Sequence, residues 1–191
     1  MLPKGKSAFR REILGRRKSL PAWRLAESSR LIAQNVINSE EYKKSDTLLC
    51  FVPTGIEVDT RPVIERALSE GRRVAVPRCI SGKTEMRFYY ISGYGDLERG
   101  AFGIMEPVSR CPECTDFSGA LCVTPALCCG RNGARMGYGR GYYDRFFAGF
   151  GGISCAVIPE EFLFDTIPCE PTDIPADMIV TENELIRLAA N

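Results

Sequence analysis

Five short apolar runs constrain the fold of this chain more than any other feature of its sequence. Runs of this length, bounded by glycine, proline or polar residues, are typical of buried strands. The first two enclose a predicted helix at 62–69, which starts at Pro62 and ends before Gly71. Strand, helix and strand in that order predict a parallel pair with a right-handed crossover. The five runs lie at residues 47–52, 74–76, 121–124, 153–158 and 178–181.

The remaining segments predict further helices and loops. Apolar residues at helical spacing, such as Phe9, Ile13 and Leu20, predict a helix over 6–20. Weak alternation predicts one more strand at 86–91, and Pro77 is expected to close the strand before it. No repeat or linker is visible, so residues 1–191 are expected to form a single domain. The other expectations are a helix at about 21–38, a turn at 39–43, a long surface segment at 93–118, a helix at 142–147, an acidic loop at 168–175 and a polar tail after 181.

The charge balance and the apolar pattern exclude several classes of protein. Lys plus Arg is 25 and Asp plus Glu is 24, which gives a net charge of +1. This balance predicts neither nucleic acid nor an anionic membrane as a partner. No apolar run approaches the ~20 residues that a membrane span needs. The basic N-terminus lacks the apolar core of a secretory signal, so a cytoplasmic location is expected.

The chain has nine cysteines and no histidine. Cysteines inside apolar runs, such as Cys50 and Cys122, are expected to be small buried hydrophobic residues. Cys111 and Cys114 have C-x-x-C spacing, but zinc needs four well-placed ligands, and adjacent cysteines chelate one ion poorly. The lack of histidine excludes Ser-His-Asp and Cys-His catalysis.

Residues 135–145, here called the glycine loop segment, form the strongest candidate for a functional site. Glycines at every second position allow positive φ angles and a close approach of the backbone to a ligand. Successive N–H groups in such a loop can converge on a phosphate, and Asp144 could hold a Mg²⁺ ion that bridges phosphates. A glycine-rich turn with solvated arginines is the alternative. The G-x-G-x-G spacing matches neither a Walker A loop nor a dinucleotide fingerprint. Four cations in or near this segment offer planar, permanently charged donors suited to phosphate oxygens, namely Arg131, Arg135, Arg140 and Arg145.

Two further groups have both a functional and an ordinary interpretation. Lys6, Arg10 and Arg17 share a face of the first predicted helix, where they either bind phosphates or form a solvated basic surface. Glu57 follows the first predicted strand, and ligands in parallel sheets bind beyond such strand ends. A loop carboxylate in that position is more often merely solvated.

Five motifs in the right order resemble those of the 5-formyltetrahydrofolate cyclo-ligase (methenyltetrahydrofolate synthetase) family. The resemblance covers nearly the whole chain, and the glycine loop segment is its most specific part. The matching segments are Lys6 and Arg10 (K-x-x-x-R), residues 57–60 (E-V-D-T), residues 102–107 (F-G-I-x-E-P), residues 133–145 (G-x-R-M-G-Y-G-x-G-Y-Y-D-R) and residues 173–182 (D-x-P-x-D-x-x-V-T-E).

The resemblance implies a three-layer α/β/α fold with a mixed, mainly parallel sheet, like that of sugar-phosphate isomerases and CoA transferases. It implies a reduced folate as substrate, ATP as co-substrate and Mg²⁺ as the ion, and a monomer is expected. Asp144 and Asp173 would bind the metal. The implied nucleotide-binding residues are Lys6, Arg10, Arg135, Met136, Gly137, Tyr138, Gly139, Arg140, Gly141, Tyr142 and Tyr143. The implied folate-binding residues are Val52, Glu57, Tyr138, Gly139, Arg140, Gly141 and Tyr142.

The implied reaction transfers the γ-phosphoryl group of ATP to the formyl oxygen of 5-formyltetrahydrofolate, after which N10 attacks the formyl carbon and phosphate leaves. Arg140 and Arg145 are our candidates for stabilising the transferring phosphoryl group. This sequence has Cys129 and Gly130 where the family usually has Phe and Asp, and Thr172 where an aromatic residue or histidine is frequent. These changes motivate one alternative, a folate- or nucleotide-binding protein without turnover. An isomerase or transferase of the same fold is another.

Overall fold

The computed structural model describes residues 5–80, 82–100 and 103–188. Its helices are α1 (Lys6–Ser19), α2 (Ala22–Asn38), α3 (Glu40–Lys44), α4 (Arg61–Ser69) and α5 (Tyr142–Phe147). Its strands are β1 (Thr47–Cys50), β2 (Arg73–Cys79), β3 (Met86–Ile91), β4 (Leu97–Arg99), β5 (Met105–Pro107), β6 (Glu113–Cys114), β7 (Ala120–Pro125), β8 (Cys128–Gly130), β9 (Arg135–Met136), β10 (Ile153–Val157), β11 (Leu163–Phe164), β12 (Met178–Val180) and β13 (Leu185–Arg187).

An eight-stranded sheet in the order β13-β12-β10-β7-β1-β2-β3-β6 forms the centre of the fold. Its five middle strands, from β12 to β2, are parallel to one another. The pairs β2–β3, β3–β6 and β12–β13 are antiparallel. The predicted mixed, mainly parallel sheet is therefore confirmed, and so is the β1-α4-β2 unit with its parallel pair.

The two faces of the sheet carry different layers, because successive strand residues point to opposite sides. Leu48 and Cys50 pack with α2, α3 and α4 on one face. Leu49 packs on the other face, where Phe147 of α5 joins the same cluster. A three-stranded sheet, β11-β8-β9, also contributes to this second side, and α1 packs against it. The second outer layer is thus a small sheet with α1 and α5, and not helices alone.

Several local predictions were wrong. The turn expected at 39–43 is the short helix α3, because Ser39 caps it by accepting a hydrogen bond from the Tyr42 N–H group at 3.2 Å. Pro77 lies inside β2 and does not end it. The pairing of β2 with β1 stops at Ala75. Pro77, which has no N–H group, therefore does not need to donate a hydrogen bond to β1.

The segment at 93–118 and the region after 181 also contain strands that the sequence did not indicate. β4 and β5 form an antiparallel pair, and β6 extends the main sheet. β13 pairs with β12, so 178–181 is not the last strand. Phe102, the first residue of the F-G-I-x-E-P motif, lies outside the described residues. Among the helices of the described ranges, none combines the length and the apolar character that a membrane crossing requires.

Candidate functional site

A large cavity of about 1120 Å³ opens beyond the carboxyl ends of the parallel strands. Phe51 and Val52, which follow β1, line it, as does Pro125 at the end of β7. This is the edge where parallel sheets bind ligands. The rest of the wall comes from α1, the turn at 54–57, β2, β3, residues 104–106, the glycine loop segment, α5 and residues 170–174 of the acidic loop.

Lys6 and Arg10 of α1 face the cavity. Lys6 Nζ lies 2.6 and 2.7 Å from the two carboxylate oxygens of Asp173 and 3.0 Å from Glu170. Arg10 Nε donates to the Gly137 carbonyl oxygen at 3.1 Å. The side chain of Lys6 is only 16 % exposed, so Lys6 does not belong to a solvated basic surface. Arg17 behaves differently, because it is buried beneath the helix and does not line the cavity.

The glycine loop segment runs from β9 into α5 and needs glycine at two positions. Gly139 has φ +92° and Gly141 has φ +66°, values that other residues rarely adopt. A β-carbon on Gly139 would lie 3.3 Å from the guanidinium carbon of Arg10, and one on Gly141 would lie 3.1 Å from Nη1 of Arg145. The backbone therefore passes directly beneath two arginine side chains.

The arginines of this region have three different environments. The Arg135 side chain is 3 % exposed and donates to Asp144 at 2.8 Å. Arg145 donates to the carbonyl oxygens of Thr84 and Arg140. Both line the cavity, as does Arg140. Arg131 does not, since it pairs with Glu184 at 2.5 Å on another surface. The expectation that Arg131 belongs to the phosphate site was therefore wrong.

Asp144 and Asp173, the predicted metal ligands, lie in the same wall. Asp144 Oδ1 accepts hydrogen bonds from Arg135 and from the Ile174 N–H group at 3.3 Å, so it is tied to the residue next to Asp173. Burial opposes ionisation of Asp173, but hydrogen bonds from Lys6 and the Glu170 N–H group bring its pKa below the ordinary value. Within residues 5–80, 82–100 and 103–188, no three acidic, cysteine or histidine side chains form a metal cluster. Two carboxylates fit Mg²⁺, which takes its other ligands from phosphates and water.

Glu57 and Val52 form another part of the wall. Glu57 Oε2 accepts hydrogen bonds from the Thr54 N–H group at 2.8 Å and the Thr54 hydroxyl at 3.0 Å. Burial raises the pKa of Glu57, although these hydrogen bonds, Tyr138 and Arg17 act in the opposite direction. Tyr138 lies at the same wall, and the residue is 46 % exposed. The wall thus offers a partly desolvated carboxylate beside an aromatic ring.

The site residues that the family resemblance implied, together with Arg145, all line the cavity except Met136. The Met136 side chain is buried in an apolar cluster with Phe9, Ile13 and Leu127. Sequence reasoning missed Lys18, Cys79 and Glu106, which also line the cavity. Glu106 accepts a hydrogen bond from the Cys79 N–H group at 3.1 Å. Its place in the F-G-I-x-E-P motif was the available signal.

The unusual residues at 129 and 130 lie behind the site. Cys129 is buried in a cluster with Ala126 and Ile158, and neither Cys129 nor Gly130 lines the cavity. A β-carbon on Gly130 would lie 2.6 Å from Asn132 Oδ1, so the Asn132 side chain occupies the space that a larger residue would need. Thr172, in contrast, does line the cavity.

We expect Gly130→Ala to reduce stability slightly without altering turnover. The new methyl group displaces Asn132 and breaks its 3.3 Å hydrogen bond from the Ala134 N–H group, which costs about 1 kcal/mol. Chemical denaturation measures this loss, and steady-state kinetics measure turnover. Adding Asn132→Gly to the Gly130→Ala variant should relieve most of the steric conflict, because the side chain that the new methyl group meets is then absent. A large fall in kcat for Gly130→Ala would show that this position acts on the site.

Comparison with known proteins agrees with the motifs. The family model described as "5-formyltetrahydrofolate cyclo-ligase family" matches residues 3–182. The chain is a member of this family. It is 31 % identical to the 5-formyltetrahydrofolate cyclo-ligase of Mycolicibacterium smegmatis, over 95 % of each chain.

Solved structures of the family have the same fold. The NMR structure of Aquifex aeolicus 5,10-methenyltetrahydrofolate synthetase matches with a TM-score of 0.85 and 30 % identity, over 97 % of this chain and 94 % of the other. The Mycoplasma pneumoniae 5,10-methenyltetrahydrofolate synthetase matches with a TM-score of 0.74 over 93 % and 98 % of the two chains, and at 19 % identity it supports the fold alone. The predicted family and α/β fold are confirmed. The alternative of an isomerase or transferase loses its support.

Proposed function

We propose that this cyclo-ligase family member converts 5-formyltetrahydrofolate and ATP into 5,10-methenyltetrahydrofolate, ADP and phosphate, with Mg²⁺. One observation carries the proposal. A single cavity joins the cations Lys6 and Arg10, the glycine loop segment and the Glu57 wall. Its volume of about 1120 Å³ exceeds the usual range for one small ligand, so two substrates can meet in it.

The two ends of the cavity differ in the chemistry that they offer. Lys6, Arg10 and the N–H groups of residues 137–141 suit a triphosphate, because they combine positive charge with an exposed glycine backbone. Glu57 and Tyr138 suit a reduced pterin, whose N–H groups can donate to the carboxylate while its ring lies against the tyrosine. Val52 adds an apolar contact at the same wall.

Asp144 and Asp173 are the residues that would hold Mg²⁺. The ion neutralises phosphate charge when it is bound. Lys6 and Arg135 pair with these carboxylates in the present structure, so both cations keep the acidic side chains in place beside the phosphate end of the cavity.

The reaction needs positioning and charge stabilisation more than a protein nucleophile. The formyl oxygen attacks the γ-phosphorus of ATP, and ADP leaves. N10 then attacks the formyl carbon and loses its proton, and phosphate departs with the former formyl oxygen. Arg140 and Arg145 line the cavity, where they can stabilise negative charge on the transferring group.

The direct test is incubation of the purified protein with 5-formyltetrahydrofolate and MgATP. We expect methenyl product and ADP in equal amounts, with no product when ATP is omitted or Mg²⁺ is chelated. Folate binding without product would support the non-catalytic alternative. A protein that binds neither folate nor ATP would contradict both.

A further inference from the structure

Arg17 occupies an unusual position for a charged side chain. It is 1 % exposed and is among the largest fully buried side chains of the described residues. Its Nη2 group donates to the Ile56 carbonyl oxygen at 2.6 Å, and its guanidinium carbon lies 4.9 Å from the centre of the Phe162 ring. Within the described part of the chain, Nε and Nη1 are buried without a hydrogen-bond partner.

Such burial is costly. Removing a cation from water has a penalty of several kcal/mol, and partners must offset it. One neutral carbonyl oxygen and one aromatic ring are a poor set of partners for a group with five N–H donors. Burial accordingly lowers the pKa of Arg17. An apolar side chain of the same length would pack here at less cost, so stability alone does not explain the arginine.

The Ile56 carbonyl belongs to the turn that carries Glu57. The Glu57 N–H group donates to the Thr54 carbonyl oxygen at 2.9 Å, and the Glu57 carboxylate accepts from Thr54, so residues 54–57 form a closed unit. One side of this unit lines the cavity. Arg17 holds it through Ile56 and does not itself line the cavity.

We propose that Arg17 is a positioning residue, which fixes the turn at 54–57 from behind and so holds the Glu57 carboxylate in place for the folate. The claim about folate rests on the proposed function. The effect of Arg17 on the position and charge of Glu57 does not, since both are properties of the protein without ligand.

The charges around Glu57 determine the sign of the effect. Arg17 favours the ionised form, and Tyr138 donates to it. Tyr143 also interacts electrostatically with Glu57. Burial alone raises the pKa of Glu57, so removal of the Arg17 charge should raise it further. Glu57 would then become protonated at a higher pH, and folate binding that needs the carboxylate would fail earlier as the pH falls.

The test compares Arg17→Met with Arg16→Met. Arg16→Met removes the same charge from the same helix, and the Arg16 guanidinium also lies over the Phe162 ring, 5.5 Å from its centre. Unlike Arg17, however, Arg16 is exposed and donates to the Glu161 carbonyl oxygen. We expect Arg17→Met to raise KM for the folate about tenfold with little change in kcat or in KM for ATP. In carbon-13 NMR of the ligand-free protein, the Glu57 titration should move to a higher pH. Arg16→Met should leave both unchanged.

Arg17→Lys separates the charge from the contact. It keeps the positive charge, so the Glu57 titration should stay near the wild-type value while KM for the folate rises less than in Arg17→Met. In a Glu57→Gln background, Arg17→Met should no longer alter the pH dependence of folate binding. An unchanged Glu57 titration in Arg17→Met overturns the electrostatic claim, and an unchanged KM overturns the positioning claim. If wild-type protein has no activity but the NMR shift appears, the proposed function fails and the role of Arg17 toward Glu57 stands.

Discussion

Asp144→Asn is expected to lower kcat by roughly 100-fold or more while the protein stays folded. Asparagine retains an oxygen that can accept from the Ile174 N–H group, so the loop at 170–174 stays attached to α5. It lacks the negative charge that the proposed Mg²⁺ site needs, and loss of metal-based charge stabilisation costs several kcal/mol in the transition state. The Arg135 side chain also loses its ionic partner at 2.8 Å.

The measurement is kcat over a range of Mg²⁺ concentrations, with circular dichroism and thermal unfolding as checks on the fold. Asp165→Asn is the matched control, because Asp165 is exposed and does not line the cavity. We expect it to leave kcat and the Mg²⁺ dependence unchanged. Wild-type turnover by Asp144→Asn would remove Asp144 from the proposed metal site.

Lys6→Met is expected to have two opposite effects on binding. KM for ATP should rise by about 10- to 100-fold, because a charge-assisted contact to phosphate is lost. Affinity of the ligand-free protein for Mg²⁺ alone should increase instead. Lys6 lies 2.6 Å from Asp173 and 3.0 Å from Glu170, and its removal leaves two carboxylates without this cation.

Steady-state kinetics and calorimetric titration with Mg²⁺ measure these two effects separately. Lys44→Met is the control, since Lys44 is an exposed lysine that pairs with Glu40 on α3 and does not line the cavity. It should change neither value. A Lys6→Met protein that binds ATP normally would show that α1 does not contact the phosphates.

The main sheet and the glycine loop segment could be predicted because their signals are local. The runs that became β1, β7 and β10 are mostly apolar, with one Thr or Ser in each strand, as is typical of strands covered on both faces. Gly139 and Gly141 have positive φ angles that alternating glycines allow. The short strands were missed because their stability comes from pairing. β8 has three residues and β9 has two, and neither carries a periodic pattern.

The helical periodicity of α1 did not indicate which of its basic residues are buried. It also did not indicate which residues of the chain form the site. Arg16 and Arg17 are adjacent in sequence, yet one is exposed and the other is buried against Ile56 and Phe162. Helical spacing groups residues by face, but it does not say which distant segment covers that face. The family resemblance supplied Lys6, Arg10 and Glu57 as site residues. It did not indicate that Arg131 pairs with Glu184 elsewhere.

The contact between Lys6 and Asp173 joins positions 167 residues apart. During synthesis on the ribosome, domains generally fold from the N-terminal end first, and α1 leaves the exit tunnel long before Asp173 has been translated. Until then this part of the cavity wall is missing, so a nascent chain cannot use the complete site to capture ligand. Ligand binding to the complete site can therefore stabilise the fold only late in folding, after α1 and the loop that carries Asp173 have come into contact.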